Sequence, residues 1–599
     1  MSAHSSLQEW MLPEPDLSTE RDLYVRLSPG AALSVSARRI DFIPGGRADF
    51  GTYCNAFNTG KWFKYCGLER LFLQLRGAGR FELVVWRVQP ERSWERVVNE
   101  VINLGTDSEF EVTPPGGFSH RGVMFFELTA LEDGHLTDAI WQTDAAPRRT
   151  PELMLSVTTF RREAAVSRTA ARFAAFAAQS PIAEHLHLTI VDNGQTADIA
   201  ADPHITVLPN ANLGGAGGFA RGLLAAQERD ATHCLFMDDD ASVHMEAISR
   251  TWRFLAYATD PATAVAGAVA NAQHRWQLWE NGALFDRICR PLHKGTDLRD
   301  TGQTFEMEFE STATAPDNFY GGWWYFAFPV TVVEHMPFPF FVRGDDVSFS
   351  LVHDFKTVTL PGVLSFQDED FSVKETPLTV YLDLRSHLAH HLALPKMDIG
   401  RKGIALIILR FYLRSLISAH YDTLEAVALA LEDVRAGPDY FSENADMTTR
   451  RQQIGALTDA ERWRETDDHQ EAATRNWLSP HRWLDRVLMK CTVNGHLLPG
   501  FSLIGNRIKL PASERGAVRP IWGAATITYQ SADGARSYTV RHSKKRAARV
   551  TGSILRKAWA MWREHDAIVD RWRTGYRDQT QPEAWHTKLE IENSSAPRQ

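Results

Sequence analysis

The sequence predicts an α/β fold on a mostly parallel sheet, preceded by an N-terminal β-sandwich and followed by a mainly helical C-terminal region. Three observations carry this. Short apolar runs at 153–160, 186–192, 205–208, 233–237 and 264–270 alternate with Ala-rich helical stretches such as 163–179 and 219–229, the rhythm of parallel strands joined by helices. Ahead of them, segments at 37–43, 71–75, 81–88, 97–104 and 123–128 alternate apolar and polar residues between turn signals, the period of half-buried antiparallel strands. From about residue 396 the text becomes charged and helical, with one short β stretch at 501–538. The segment AAPRRTP at 145–151 reads as a linker, so the predicted domains are 1–150, 151–395 and 396–599.

At 599 residues, 44% of them hydrophobic, the chain is too long for a single small module. Its net charge of −9 argues against nucleic acid as the main partner. Eighteen Trp and 32 Phe exclude global disorder and leave rings over for ligand platforms. Cys54, Cys66, Cys234, Cys289 and Cys491 are odd in number and form no C-x-x-C pair, which fits a reducing cytoplasm rather than a disulfide framework or a Cys-based zinc site. The first twenty residues are polar and acidic where a secretory signal needs a basic start and an apolar run. The most lipid-like stretch, 403–409, stops at Arg410, far short of the roughly 20 apolar residues that span a bilayer.

In parallel α/β sheets ligands sit at the carboxyl ends of the strands, here near Phe160, Asp192, Pro209 and Asp238. Asp238-Asp239-Asp240 follows the apolar strand CLFM directly. Three adjacent carboxylates repel one another, and a hard divalent ion such as Mg²⁺ or Mn²⁺ on a diphosphate neutralises them. The plain alternative is an acidic solvated turn or helix start. The glycine run NLGGAGGFAR at 212–221 follows the third strand and opens a helix, where backbone N–H groups can meet phosphate. Gly215-x-Gly217-x-x-Ala220 also fits a permissive dinucleotide pattern, which makes an NAD-type dehydrogenase a competitor. Its place after the third strand and the three carboxylates downstream speak against that reading, and tight helix–strand packing is the structural alternative.

Asp345 and Asp346 precede a predicted helix at 347–355 and can supply a general base for an acceptor hydroxyl, or cap the helix. Trp323 and Trp324, after two glycines, suit the apolar face of a sugar, although core packing is the usual fate of tryptophan. His387, His390 and His391 lack an H-E-x-x-H frame and read as core or solvated histidines. Basic residues from Arg541 to Lys557 run into Trp559, Trp562 and Trp572, as on an amphipathic helix that meets a membrane or an anionic substrate, or as on a solvated face.

Taken in order, TTFRR, VDNG, NLGGAGGFAR, FMDDD, GGWWYF and FVRGDD resemble the bacterial galactofuranosyltransferases that polymerise cell-wall galactan, inverting metal-dependent enzymes of glycosyltransferase family 2 with a GT-A fold. The motifs cover residues 153–395, and the flanking regions match that family in kind. The resemblance implies that Asp238 and Asp240 ligate the metal on the UDP diphosphate. Arg162, Asp192 and Asn212 would contact the nucleotide, with Asp239 and Arg221 close by; Asp346 would be the base, Asp345 would orient the acceptor, and Trp323 and Trp324 would line the sugar site. The family's Trp–His pair, whose histidine completes the metal shell, is Phe366-Gln367 here, after Leu360-Pro361-Gly362. Gln367 offers a carbonyl oxygen, acceptable to Mg²⁺, with Asp368 or Asp370 as alternative ligands. Gly344 stands where the family carries a bulky aromatic.

The expected activity is therefore transfer of galactofuranose from UDP-galactofuranose to a glycan or a lipid-linked glycan. Another nucleotide sugar such as a rhamnose donor is the alternative within the class, and a non-catalytic carbohydrate-binding protein the alternative outside it. A cytoplasmic homo-oligomer touching the inner face of the plasma membrane through its basic C-terminal region completes the expectation.

Overall fold

The strand Phe72–Val88 organises the N-terminal region of the computed structural model, which describes residues 4–114, 116–367, 375–466, 478–479 and 481–590. Its first half pairs antiparallel with Gly134–Thr143 and Ser108–Glu111, its second half with Val123–Ala130 and Glu95–Leu104. The partners change at two glycines. A Cβ on Gly77 would stand 2.0 Å from the His135 carbonyl oxygen, and Gly79 has φ +114°, a conformation open mainly to glycine. Because one 17-residue strand serves both halves, the predicted two-sheet sandwich is instead a single hydrogen-bonded array of ten strands.

The second sheet begins with four parallel strands in the order Ile205–Pro209, Leu186–Asp192, Leu153–Thr159 and His233–Asp238. Their limits lie within a residue of the predicted ones; the three inner strands are buried on both faces and so read as apolar runs. The sheet then turns mixed. Phe326–Pro329 runs antiparallel to both His233–Asp238 and Thr263–Ala270, Lys356–Gln367 is parallel to Thr263–Ala270, and Ala241–Ser242 closes the edge antiparallel. One continuous apolar core, including Leu73, Trp141, Leu155 and Leu235, runs through both sheets. The described residues of Met1–Asn212, Gly218–Met336 and Phe349–Glu369 accordingly form one compact unit, and those of Leu213–Gly217, Pro337–Ser348 and Asp370–Gln599 a second.

An ion pair is sealed inside the first unit. Lys61 Nζ lies 2.8 Å from Glu308 Oε2, with both side chains at most 2% exposed, and Asn58 Nδ2 donates to the same oxygen at 2.8 Å. Burial pulls the Lys61 pKa down and the carboxylate pulls it back up. Lys61→Met leaves Glu308 charged and poorly compensated, so a loss of about 3–5 kcal/mol in urea unfolding is expected. The double variant Lys61→Met/Glu308→Leu should regain most of that loss.

The second unit contains the helices Pro377–Ala393, Gly400–Ile417, Tyr421–Ala436, Lys544–Arg563 and His565–Gln579. Its β stretch is present as a four-stranded sheet of Arg464–Glu465, Arg536–Arg541, Ala524–Gln530 and Asn506–Pro511. The basic run is partly consumed internally: Arg546 pairs with Asp422, Lys557 with Glu432, and buried Trp572 donates its indole N–H to the Val434 carbonyl at 2.8 Å. Leu555 and Trp559 stay exposed. No described helix is long and apolar enough to cross a membrane.

Candidate active site

Parallel pairing brings the carboxyl ends of the first unit's strands level, with Thr159 opposite Asp192, Asp192 opposite Pro209 and Thr158 opposite Asp238. The acidic turn leaves this edge. Asp238 is the last residue of its strand. Asp239 accepts a hydrogen bond from Thr159 Oγ1 at 2.8 Å, and Arg162 Nη1 lies 3.6 Å from Asp239 and 2.9 Å from Asp240. Burial pushes the Asp239 carboxyl above its ordinary pKa, with Thr159 and Arg162 pulling the other way. Arg162, expected on the nucleotide, is here the counter-ion that holds the carboxylates together. Thr159 escaped the sequence reading; a hydroxyl at the end of a central parallel strand was its only signal.

Asp192 is buried, and both its oxygens are engaged. Oδ1 accepts from the Gly194 N–H at 2.8 Å, and Oδ2 from the Thr196 and Ala197 N–H groups at 2.7 Å. It therefore shapes the loop after its strand. Asn212 is half-buried just ahead of the helix Gly214–Glu228. The glycine run is not an open loop: Gly214 alone of its glycines has positive φ, at +72°, and the others lie within the helix. A Cβ on Gly218 would meet Thr158 Cγ2 at 2.1 Å, and one on Gly222 would meet Ser156 Oγ at 1.8 Å. Close packing of helix on strand accounts for Gly218 and Gly222. Arg221 lies about two turns into that helix, 3.8 Å from Glu228 rather than joined to the acidic turn.

The two tryptophans have different fates. Trp323 is 4% exposed and packs edge-on against Phe219, Phe236 and Phe349, which is the core-packing alternative. Trp324 keeps partial exposure and donates its indole N–H to the Gly267 carbonyl at 3.0 Å. The glycine before the pair makes room for it, since a Cβ on Gly322 would stand 2.2 Å from Trp324 Cη2.

Among the described residues no three His, Cys, Asp or Glu side chains group as a metal site, and His387, His390 and His391 are all buried. The oxygen set expected from the motifs nevertheless fits a hard cation. Gln367 pairs with Ala241 across the ladder, one residue from Asp240, and its buried Oε1 has no hydrogen-bond partner among the described residues. Two carboxylates and an orphaned carbonyl oxygen suit Mg²⁺ or Mn²⁺. Asp368 and Asp370, the alternative ligands, lie outside the described residues.

In the second unit, Asp345 and Asp346 form the first turn of the helix Asp345–Val352, two residues earlier than predicted. Asp346 Oδ1 accepts from the Val347 N–H at 2.8 Å. Burial raises both carboxyl pKa values, and the neighbouring charge of Asp346 raises Asp345 further. The approach to the pair is a constrained loop, with Phe341 at φ +73°, Arg343 at +66° and Gly344 at +98°. Two bonds to the helix Pro377–Ala393 pin it: Arg343 Nη1 reaches Asp383 Oδ1 at 2.8 Å, and Arg385 donates to the Phe340 carbonyl. Sequence reasoning missed Asp383 and Arg385, the carboxylate and guanidinium of a helix that has no other Asp, Glu, Lys or Arg.

Gly344 gives way to that helix, since its missing Cβ would sit 2.5 Å from Ser386 Cβ and 3.0 Å from His390 Nε2. The space a side chain at position 344 would need is thus occupied by Ser386 and His390. Gly344→Ala is expected to destabilise the protein by about 1–3 kcal/mol, from positive φ and overlap together, as measured by chemical denaturation.

Residues 7–144 match the family model described as Galactofuranosyltransferase 2 N-terminal. Over 477 residues the chain is 24% identical to galactofuranosyltransferase GlfT2 of Mycolicibacterium smegmatis, covering 73% of this chain and 72% of that one. Over 484 residues it is 25% identical to galactofuranosyltransferase GlfT2 of Mycobacterium tuberculosis, covering 73% of each. Among solved structures, the endo-1,4-beta-D-xylanase 10B of Clostridium thermocellum aligns at 10% identity over 32% of this chain and 38% of its own, with a TM-score of 0.16 that is too low to bear on the fold. The resemblance read from the motifs is borne out: the chain is a relative of the mycobacterial GlfT2 galactofuranosyltransferases, and the similarity supports a glycosyltransferase.

Proposed function

We propose that this chain transfers galactofuranose from UDP-galactofuranose to a glycan or lipid-linked glycan acceptor, with inversion at the anomeric carbon, on a GT-A fold. The observation that carries the reading is similarity to two enzymes so named over 73% of the chain. The level carboxyl ends of four parallel strands, with the acid triplet leaving one of them, support it.

Asp346 takes the proton of the acceptor hydroxyl as that oxygen bonds to the anomeric carbon and the bond to UDP breaks. Attack from the face opposite the leaving group inverts the configuration. Asp345, whose carboxyl burial favours in its neutral form, donates a hydrogen bond to the acceptor. Asp238, Asp240 and Gln367 Oε1 would hold Mg²⁺ or Mn²⁺, which when bound would supply positive charge for the departing diphosphate. Arg162 exchanges Asp240 for a diphosphate oxygen when donor binds, and Asn212 and the loop shaped by Asp192 meet the nucleotide. Trp324 offers its half-exposed ring to the sugar.

A panel of UDP- and dTDP-sugars with Mg²⁺ or Mn²⁺ and a synthetic galactofuranosyl acceptor tests the reading. UDP release and acceptor extension with UDP-galactofuranose are expected. Turnover of a dTDP-sugar alone, or binding of a nicotinamide cofactor without UDP, would overturn it.

A further inference from the structure

A cavity of about 510 Å³ opens in the N-terminal β region, between the end of the strand Phe72–Val88 and the loop 116–121 that leads into Val123–Ala130. That is the size of a small-molecule site, yet its wall is mostly polar. Gly116 and Gly117 bring bare backbone to it: their φ values are +79° and +80°, and nothing lies within 4 Å of where their Cβ atoms would be. Arg87 fastens the loop to the strand, donating from Nη1 to the Gly117 carbonyl at 3.1 Å, and spends its other nitrogens on Glu95 at 2.9 and 2.5 Å.

The other two guanidiniums of the cavity are not matched. Arg92 and Arg121 are exposed, Arg92 meets the Gln89 amide oxygen at 3.4 Å, and neither has an ion-pair partner among the described residues. Glu91, their nearest acid in sequence, does not line the cavity. Lys64 adds a further cation close by. Its Nζ donates to the neutral Thr312 carbonyl at 2.9 Å and Thr314 Oγ1 at 3.0 Å, and burial together with the charge of Arg121 lowers its pKa. Elsewhere in the same β region arginines have acids beside them: Arg39 has Asp41, Arg47 has Glu127, and Arg76 has Asp107 and Asp138. A cleft lined by unmatched cations focuses positive potential into its interior and concentrates anions there.

The donors select the anion. One guanidinium fork satisfies a carboxylate, whereas a phosphoryl group carries up to two charges and three strong acceptor oxygens and takes several cations at once. Arg92 and Arg121 reach the cavity from two separate chain segments, with the His120 ring beside them. We infer that this cavity binds a phosphate-bearing small molecule through Arg92 and Arg121. It includes none of the residues assigned above to donor, cation or acceptor, so the inference does not depend on that reading.

Isothermal titration of the full chain with inorganic pyrophosphate, in EDTA and without divalent cation, measures it. Saturable binding that weakens as salt is raised is expected. Arg92→Ala/Arg121→Ala should weaken it at least about tenfold, the worth of one charge-assisted hydrogen bond. That variant should keep the wild-type circular dichroism, ligand-free melting temperature and Mg²⁺-dependent UDP binding. Arg162→Ala, which removes the cation beside the acid triplet, should bind pyrophosphate as wild type. So should Arg38→Ala/Arg80→Ala, which removes two exposed cations of the β region that lie outside the cavity lining. Citrate should bind at least about tenfold more weakly than pyrophosphate. The inference is overturned if wild type takes up no pyrophosphate, if the Arg92/Arg121 variant binds it undiminished, or if citrate binds equally well. It is also overturned if Arg162→Ala loses the binding, which would place the anion at the acid triplet, or if Arg38→Ala/Arg80→Ala loses it equally, which would make it diffuse charge attraction. UDP binding with Mg²⁺ is a separate titration, so the donor reading and this one fail independently.

Discussion

Asp346→Asn should lower kcat by about 10²–10⁴-fold, the usual contribution of a general base, while leaving UDP affinity unchanged. Asparagine retains the side-chain oxygen that accepts the Val347 N–H at 2.8 Å, so the first turn of the helix survives and only basicity is lost. Asp345→Asn is expected to cost less, since that carboxyl acts with its proton on. The two aspartates also set a pH signature. Burial raises both pKa values above the ordinary carboxylate range, so the acid limb of kcat should lie above about pH 4 and turnover should fall as pH drops through the raised value. Stability moves in the opposite sense. A carboxyl whose folded pKa is raised stabilises the fold below its unfolded pKa, and that contribution is lost as pH rises through the folded one. A protein that becomes more stable on mild acidification while it loses turnover would show both effects of one buried pair. Near-normal turnover in Asp346→Asn would remove the assigned base.

The sequence made some of this legible and hid the rest for identifiable reasons. The parallel strands ending at Thr159, Asp192 and Asp238 were readable almost to the residue because burial on both faces leaves no polar alternation to blur them. Phe326–Pro329 was not, since four apolar residues after an aromatic run carry no direction. Alternation likewise could not show that Phe72–Val88 is one strand with two sets of partners. The glycine run read as a loop because glycine is a poor helix former, whereas tertiary packing against Thr158 and Ser156 decided its conformation. Trp323 and Trp324 are indistinguishable as text, and only the fold sends one ring into the core. For the candidate site, residue identity was readable and engagement was not. Arg162, Asp239 and Asp192 stand at or beside the strand ends as expected, but their present partners are one another, Thr159 and backbone N–H groups.

The cation-holding role proposed for Asp240 and Gln367 leads to a large expected effect that separates ligation from structure. Adding UDP with Mg²⁺ to wild type should raise the melting temperature, by mass action worth about 2.7 kcal/mol at a hundredfold excess over Kd. Asp240→Asn should abolish that increment. In the absence of ligand the same variant should stay within about 1 kcal/mol of wild type, because its partly exposed pair with Arg162 is worth little and one of three neighbouring carboxylates has been neutralised. Gln367→Leu sharpens the test. If Gln367 were held for folding, losing it would destabilise the ligand-free protein. Its buried Oε1 instead lacks a hydrogen-bond partner among the described residues, and replacing an unsatisfied polar group by an apolar one of similar size is close to neutral. The ligand-free melting temperature should therefore hold while the Mg²⁺-dependent rise shrinks. Gln367→His should restore the rise with Mn²⁺ in preference to Mg²⁺, as an imidazole nitrogen suits the softer ion better than a carbonyl oxygen does. A Gln367→Leu protein that keeps the full Mg²⁺-dependent rise would take Gln367 out of the ligand set.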